Sequence, residues 1–175
     1  MAKGITQKIA YAAMFAALYV ILDSFSIQIL PSLRITISML AVALAGSFLG
    51  WQYGGLVGLV GDVLMFFLKN SAFGPYMPQL TLSAILVGVI FGLVVHKAME
   101  IPGQARNDIW IRVIIAQALV TLVINLFWNT WTLSLYYSAG FRYFFAIRVW
   151  VELATMVVLM ILEYLILLVF RRRHT

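Results

Sequence analysis

Two stretches of this chain, residues 70–96 and 113–141, run without a single charged side chain. A helix crossing a bilayer needs about 20 mostly apolar residues. Inside lipid the backbone must satisfy its own hydrogen bonds, so such a stretch is a helix or part of a closed barrel. Two further runs qualify. Residues 9–30 are interrupted only by Asp23, and residues 149–170 carry only Glu152 and Glu163. The four runs predict membrane helices at about 5–28, 79–97, 109–133 and 147–170.

Residues 35–68 do not fit one crossing. As a single helix they would reach about 51 Å, well beyond the hydrocarbon core. The segment is punctuated at Gly50-Trp51-Gln52-Tyr53-Gly54-Gly55. Two shorter helices, at about 35–50 and 53–68, fit better, and either one would stop short of a full crossing. The expected fold is therefore an all-α integral membrane protein of six transmembrane helices, in one domain spanning 1–175. Short connections at 29–34, 50–53, 69–78, 98–108 and 134–146 join the helices. Asn107-Asp108 reads as the N-cap of the fifth helix.

Composition closes off the other classes. The chain is 64% hydrophobic and 10% charged, against about 25% charged residues in soluble domains. There is no cysteine and there are only two histidines. A disulfide scaffold, a cysteine nucleophile and a Cys- or His-rich metal site are excluded, and no cofactor is expected.

Charge distinguishes six helices from five. With six, Lys3, Lys8, Lys97, Arg106, Arg112, Arg171, Arg172 and Arg173 share one side, and Arg34, Lys69, Arg142 and Arg148 share the other. Lys and Arg concentrate in cytoplasmic loops, so both termini are expected inside. The basic N-terminus precedes an apolar run too long for a signal peptide, and no small-residue cleavage site follows. The net charge of +6 reads as anchoring, with the Arg171–His174 tail against anionic lipid headgroups. It gives no reason to invoke nucleic acid.

Polar groups inside a membrane are expensive, at about 2.5–3.5 kcal/mol for Asp or Arg at a helix centre, so each asks for a partner or a ligand. Asp62 lies on a glycine-rich helix. Arg148 and Glu152 are four residues apart and share a face, either as an internal pair or as a set that a ligand completes. Asn125 and Asn129 share a face in the same way, beside Thr130 and Trp131. They serve as interhelical glue or read the edge of a heterocycle. Gln79 and Thr81 sit at the same depth, and Gln117 reads as structural.

Arg34, Arg142 and Arg148 place three guanidiniums on the face expected to be poorest in positive charge. Tyr76, Tyr136, Tyr137, Phe141, Tyr143, Phe144 and Phe145 crowd the same side, as an interfacial belt or as a lid over something flat. Guanidiniums match carboxylates in a bidentate way. The combination points to an anionic, aromatic, water-soluble ligand. On the first helix, Ala12 with Ala16 and Ala13 with Ala17 are small pairs that admit another helix closely. No nucleophile–base set or phosphate-binding Walker loop is present, so neither catalysis nor ATP hydrolysis is expected.

These pieces together resemble the substrate-binding S components of energy-coupling factor (ECF) vitamin transporters. The matching segments are Pro31-Ser32-Leu33-Arg34-Ile35, residues 44–50 with 53–62, Gly74-Pro75-Tyr76 with residues 80–88, Asn129-Thr130-Trp131, and Arg148. The first, the fourth and Arg148 are most similar to the folate-specific members. The resemblance implies a six-helix bundle in a prokaryotic plasma membrane, with a vitamin pocket near the outer face. It implies a transmembrane coupling subunit and two ATPases as partners, the first helix docking through Ala13 and Ala17 or through Ala12 and Ala16. Folate would pair the N–H donors of its pterin with Asp62. It would stack on Trp131, Tyr76 or Tyr137, and place its glutamate carboxylates on Arg34, Arg142 or Arg148. Two alternatives stay open. One is another cargo, such as a queuosine precursor, riboflavin or thiamine. The other is a stand-alone proton-coupled permease working through Asp62.

Overall fold

The computed structural model describes residues 2–30, 33–69, 76–96, 106–136 and 141–172. Helix α1 is Ala2–Ser24, α2 is Met39–Leu49, α3 is Trp51–Lys69 and α4 is Pro78–Val94. Helix α5 is three consecutive stretches: α-helical Arg106–Leu119, π-helical Val120–Asn129 and α-helical Thr130–Tyr136. Helix α6 is Phe141–Arg172. Among the described residues the bundle has the six helices expected. Four of them, α1, α3, α5 and α6, are long and apolar enough to cross a membrane, while α2 and α4 are shorter.

Several boundaries differ from those the sequence predicts. The first helix ends at Ser24 rather than near 28. Residues 27–35 are not a plain connection. Strands β1 (Ile27–Leu30) and β2 (Leu33–Ile35) pair antiparallel, Ile27 opposite Ile35 and Gln28 opposite Arg34, with an irregularity between Gln28 and Leu30. The fold is the expected helical bundle, with one small hairpin where a plain connection was expected. The β-branched residues Ile27, Ile29 and Ile35 favour extended backbone there. Helix α3 is long enough to cross, whereas α4 stops at Val94 instead of 97. Helix α5 opens at Arg106, so Asn107 lies inside its first turn and is not its cap, and Asp108 supplies the favourable negative charge there. Helix α6 starts at Phe141, which turns residues 141–146 from connection into helix.

A buried carboxylate ties the hairpin to α1. Asp23 Oδ1 accepts hydrogen bonds from the Thr36 hydroxyl (3.1 Å) and the Ser38 hydroxyl (3.0 Å). That bridge fixes the path of the chain from β2 into α2.

Helices α2, α3 and α4 meet along a glycine seam. A methyl group placed on Gly88 would strike the Gly54 carbonyl, one on Gly58 would strike the Ala84 carbonyl, and one on Gly92 would strike the Trp51 backbone. Gly46 closes the third side against Gly88 and Phe91. Lipid offers no hydrophobic drive for helices to associate, so close backbone packing of this kind supplies the cohesion. At Gly50 the backbone takes φ +93°, which L side chains rarely adopt, and this turn folds α2 back into α3. Tyr19 of α1 lies across Gly61 of α3.

Helix α1 packs on one side only. Ala16 and Tyr19 are buried and Ala12 packs against the core. Ala13 and Ala17 are exposed, as are Ile9, Tyr11, Met14 and Ile21.

Candidate functional site

The π-helical stretch of α5 is the local feature that builds the site. Bonding five residues back instead of four widens the coil and changes which side chains face inward; such segments are rare and concentrate at functional sites. Here it turns Asn125 and Asn129 toward the interior, where Asn129 is buried. The Asn129 amide donates to the Asn125 side-chain oxygen (3.3 Å), and its own oxygen accepts a bond from the Ser83 hydroxyl of α4. The Thr130 hydroxyl donates to the Asn125 carbonyl (3.4 Å). The two amides are therefore oriented before any ligand arrives.

They open onto a cavity of about 110 Å³. Its walls come from the end of the hairpin (Thr36), α2 (Met39), α4 (Val87), α5 (Gln117, Val120, Asn125, Asn129) and α6 (Arg148, Val151, Glu152, Thr155, Leu159, Glu163). Helix α1 contributes no residue to this wall.

Arg148 is the charged group at one end of the cavity. It is only 9% exposed. Its Nη2 donates to Glu152 Oε1 at 2.6 Å, the i, i+4 pair that the spacing predicts. That pair uses one of three guanidinium nitrogens. Nε and Nη1 are buried and have no hydrogen-bond partner among the described residues. Glu152 thus holds the side chain in place and leaves two donors for something else, so the internal pair and the ligand-ready set coexist. Buried donors without acceptors are costly, and carboxylate oxygens of a ligand would satisfy them, Nε–H and Nη1–H pointing to different sides of the guanidinium and so each taking its own oxygen.

Of the other residues singled out in the sequence, Asp62 sits in a separate cluster. It accepts from the Thr81 hydroxyl (2.6 Å) and the Tyr19 hydroxyl (3.4 Å), and Thr81 shares a further bond with the Tyr76 hydroxyl (2.7 Å). This network links α1, α3 and α4. Tyr76 also packs on Phe66, with ring centres 4.9 Å apart. The Gln79 carbonyl accepts from Trp128 Nε1 (3.1 Å) and from the Ser83 hydroxyl (3.0 Å), which fastens α5 to the first turn of α4. Trp131 is exposed and lies beside Trp128, ring centres 5.7 Å apart. Arg142 is exposed at the start of α6. The Arg34 side chain and all of Tyr137 lie outside the described residues, as do the side chains of Tyr136, Tyr143 and Phe144 from the aromatic group. Phe141 and Phe145 stack on each other, and Phe127 meets Phe141 edge-on.

Three expected residues, Asn125, Asn129 and Arg148, therefore share one cavity. Sequence reasoning passed over Thr36, Thr155 and Glu163, which line it too, and Gln117, read from the sequence as structural, is on the same wall. Glu163 was noted only as an interruption of an apolar run. Helical spacing could have found it: Glu152, Thr155, Leu159 and Glu163 follow one another at steps of three, four and four residues along one face of α6.

Comparison with known proteins places this geometry in context. Residues 7–167 match the family model of the ECF transporter substrate-specific component. The curated folate transporter FolT of Clostridium novyi (strain NT) is 32% identical over 142 residues, covering 79% of this chain and 74% of that protein. A crystal structure of FolT bound with folic acid superposes with a TM-score of 0.72 at 28% identity, covering 91% of each chain.

Proposed function

Because the chain belongs to the substrate-specific components of ECF transporters, we propose that it captures folate in the cavity between α4, α5 and α6 and delivers it for import. The observation that supports this most is Arg148, with two buried donors facing a cavity and no acceptor for them. Folate brings carboxylates at one end and a flat heterocycle at the other. The carboxylates match Arg148, and the oriented amides of Asn125 and Asn129 suit hydrogen bonding along the body of the ligand. A cargo without an acid would leave the Arg148 donors unsatisfied.

In this reading the whole chain is one binding domain in the plasma membrane of a prokaryote. Both termini are cytoplasmic and the Arg148 end faces outward, as the distribution of Lys and Arg favours. Arg34, Tyr76, Gln79, Trp131 and Tyr137 stay candidate ligand contacts, and Asp62 is hydrogen-bonded to Thr81, which bonds in turn to Tyr76. The chain contains no Walker loop, so energy comes from a coupling subunit and two ATPases.

The packing favours one register for docking. Ala12 and Ala16 face the bundle, and Ala13 and Ala17 face away from it. Ala13 and Ala17 are the pair that a coupling subunit would approach. Ala17→Trp is expected to leave folate affinity within about threefold of wild type and to reduce ATP-driven uptake in reconstituted vesicles at least tenfold. Full uptake by that variant would remove the assigned face.

The direct test is a titration of the detergent-purified protein with folic acid, followed by tryptophan fluorescence and calorimetry. Trp128 lies one turn from Asn125 and Trp131 beside it, so saturable quenching is expected at submicromolar folic acid. Riboflavin and a queuosine precursor serve as controls. No response to folic acid together with saturation by a control would keep the family and change the cargo.

A further inference from the structure

We propose that Glu163, deep on α6, is the residue that reads the hydrogen-bond donor edge of the bound heterocycle. The inference rests on the reading of this cavity as the ligand site and adds its second pole. Glu163 is 1% exposed, lines the cavity, and has one carboxyl oxygen, Oε2, with no hydrogen-bond partner among the described residues. An acid within a membrane span is expensive and by default marks function.

Its position suits the task. Fifteen residues separate it from Arg148 on the same helix, about 22 Å along the axis. Both line one cavity, with Thr155 and Leu159 between them on α6 and Gln117 on α5. The cavity therefore has opposite hydrogen-bonding character at its two ends: unfilled donors at Arg148 and an unfilled acceptor at Glu163. An elongated ligand with carboxylates at one end and adjacent N–H donors at the other is complementary in a single direction. The aminopyrimidinone edge of a pterin presents a ring N–H next to an amino group, and a carboxyl group accepts such a pair in a forked arrangement. Asp62 has the same chemistry, but its oxygens already accept from Thr81 and Tyr19, and it does not line this cavity. The Gln117 amide is itself buried on the same wall and can take a further polar edge atom of the ring.

The test compares folic acid with 2-desamino-folic acid, which lacks the amino donor, on wild-type protein and on Glu163→Gln. Wild type is expected to bind folic acid at least tenfold more tightly than the analogue. Glu163→Gln should lose at least tenfold in folic acid affinity while its preference between the two ligands collapses to within threefold. Unchanged folic acid affinity in Glu163→Gln would overturn the assignment. So would equal weakening of both ligands, which marks a merely structural role. If Glu163→Gln does not fold, Glu163→Asp withdraws the acid by one methylene group and is expected to show the same collapse of preference. A wild type that binds both ligands equally overturns the proposal without any variant. A wild type that ignores folic acid overturns the folate reading and this inference together; wild-type binding with an indifferent Glu163 overturns only the inference.

Discussion

Arg148→Ala is expected to weaken folic acid binding at least about 100-fold. A hydrogen bond to a charged group contributes about 1.5–3 kcal/mol, and two such donors, Nε and Nη1, await an acceptor here. Each 1.4 kcal/mol is tenfold in affinity. Arg148→Ala also strands Glu152 without its partner, so the double change with Glu152→Gln is the cleaner comparison. Arg148→Lys keeps the charge but replaces the two diverging donors by a single ammonium, and should recover only part of the affinity. 6-Hydroxymethylpterin, which has no carboxylate, should bind the variants and wild type alike. Folic acid binding to Arg148→Ala within threefold of wild type, measured by calorimetry, would remove Arg148 from the site.

The second large effect concerns stability. Gly88→Ala is expected to destabilise the bundle by about 3 kcal/mol or more and to lower the melting temperature by roughly 10 °C. The added methyl group would meet the backbone carbonyl group of Gly54, which cannot rotate away as a side chain would. The helices would have to separate, and Gly46 of α2 would lose its contact with Gly88 and Phe91 of α4. Gly4→Ala provides the control, since nothing lies within 4 Å of the added carbon. Melting curves in detergent that coincide for wild type and Gly88→Ala would show that the seam is not what holds α2, α3 and α4 together.

The number of helices was legible because long apolar runs mark crossings and the split of Lys and Arg between the two sides distinguishes six helices from five. The break at Gly50 was legible for a related reason: a 34-residue apolar stretch needs interruption, and glycine tolerates the positive φ found there. The Arg148–Glu152 pair followed from helical spacing alone. What escaped was orientation. In a soluble helix the polar face reports which side is out. Spacing puts Glu163 on the face of Glu152, but α6 is apolar nearly all round, so its sequence does not say whether that face meets lipid or cavity. Asp62 shows the same limit from the other side. Its glycine-rich surroundings announce close packing, but its partners Tyr19 and Thr81 come from 43 and 19 residues away. The π-helical stretch has no sequence signature, and it determines where Asn125 and Asn129 point. The hairpin was hidden because four- and three-residue strands beside Pro31 read equally well as a connection.

The absence of α1 from the cavity wall has a consequence for descent. The residues that would choose a cargo are on α4, α5 and α6 and at the end of the hairpin, while the exposed alanine face is on α1. Substitutions at 117, 125, 129, 148 or 163 can therefore accumulate without touching that face. A duplicated gene of this kind can acquire a new vitamin while still fitting the same engine, because heredity can revise the lock without recutting the mount.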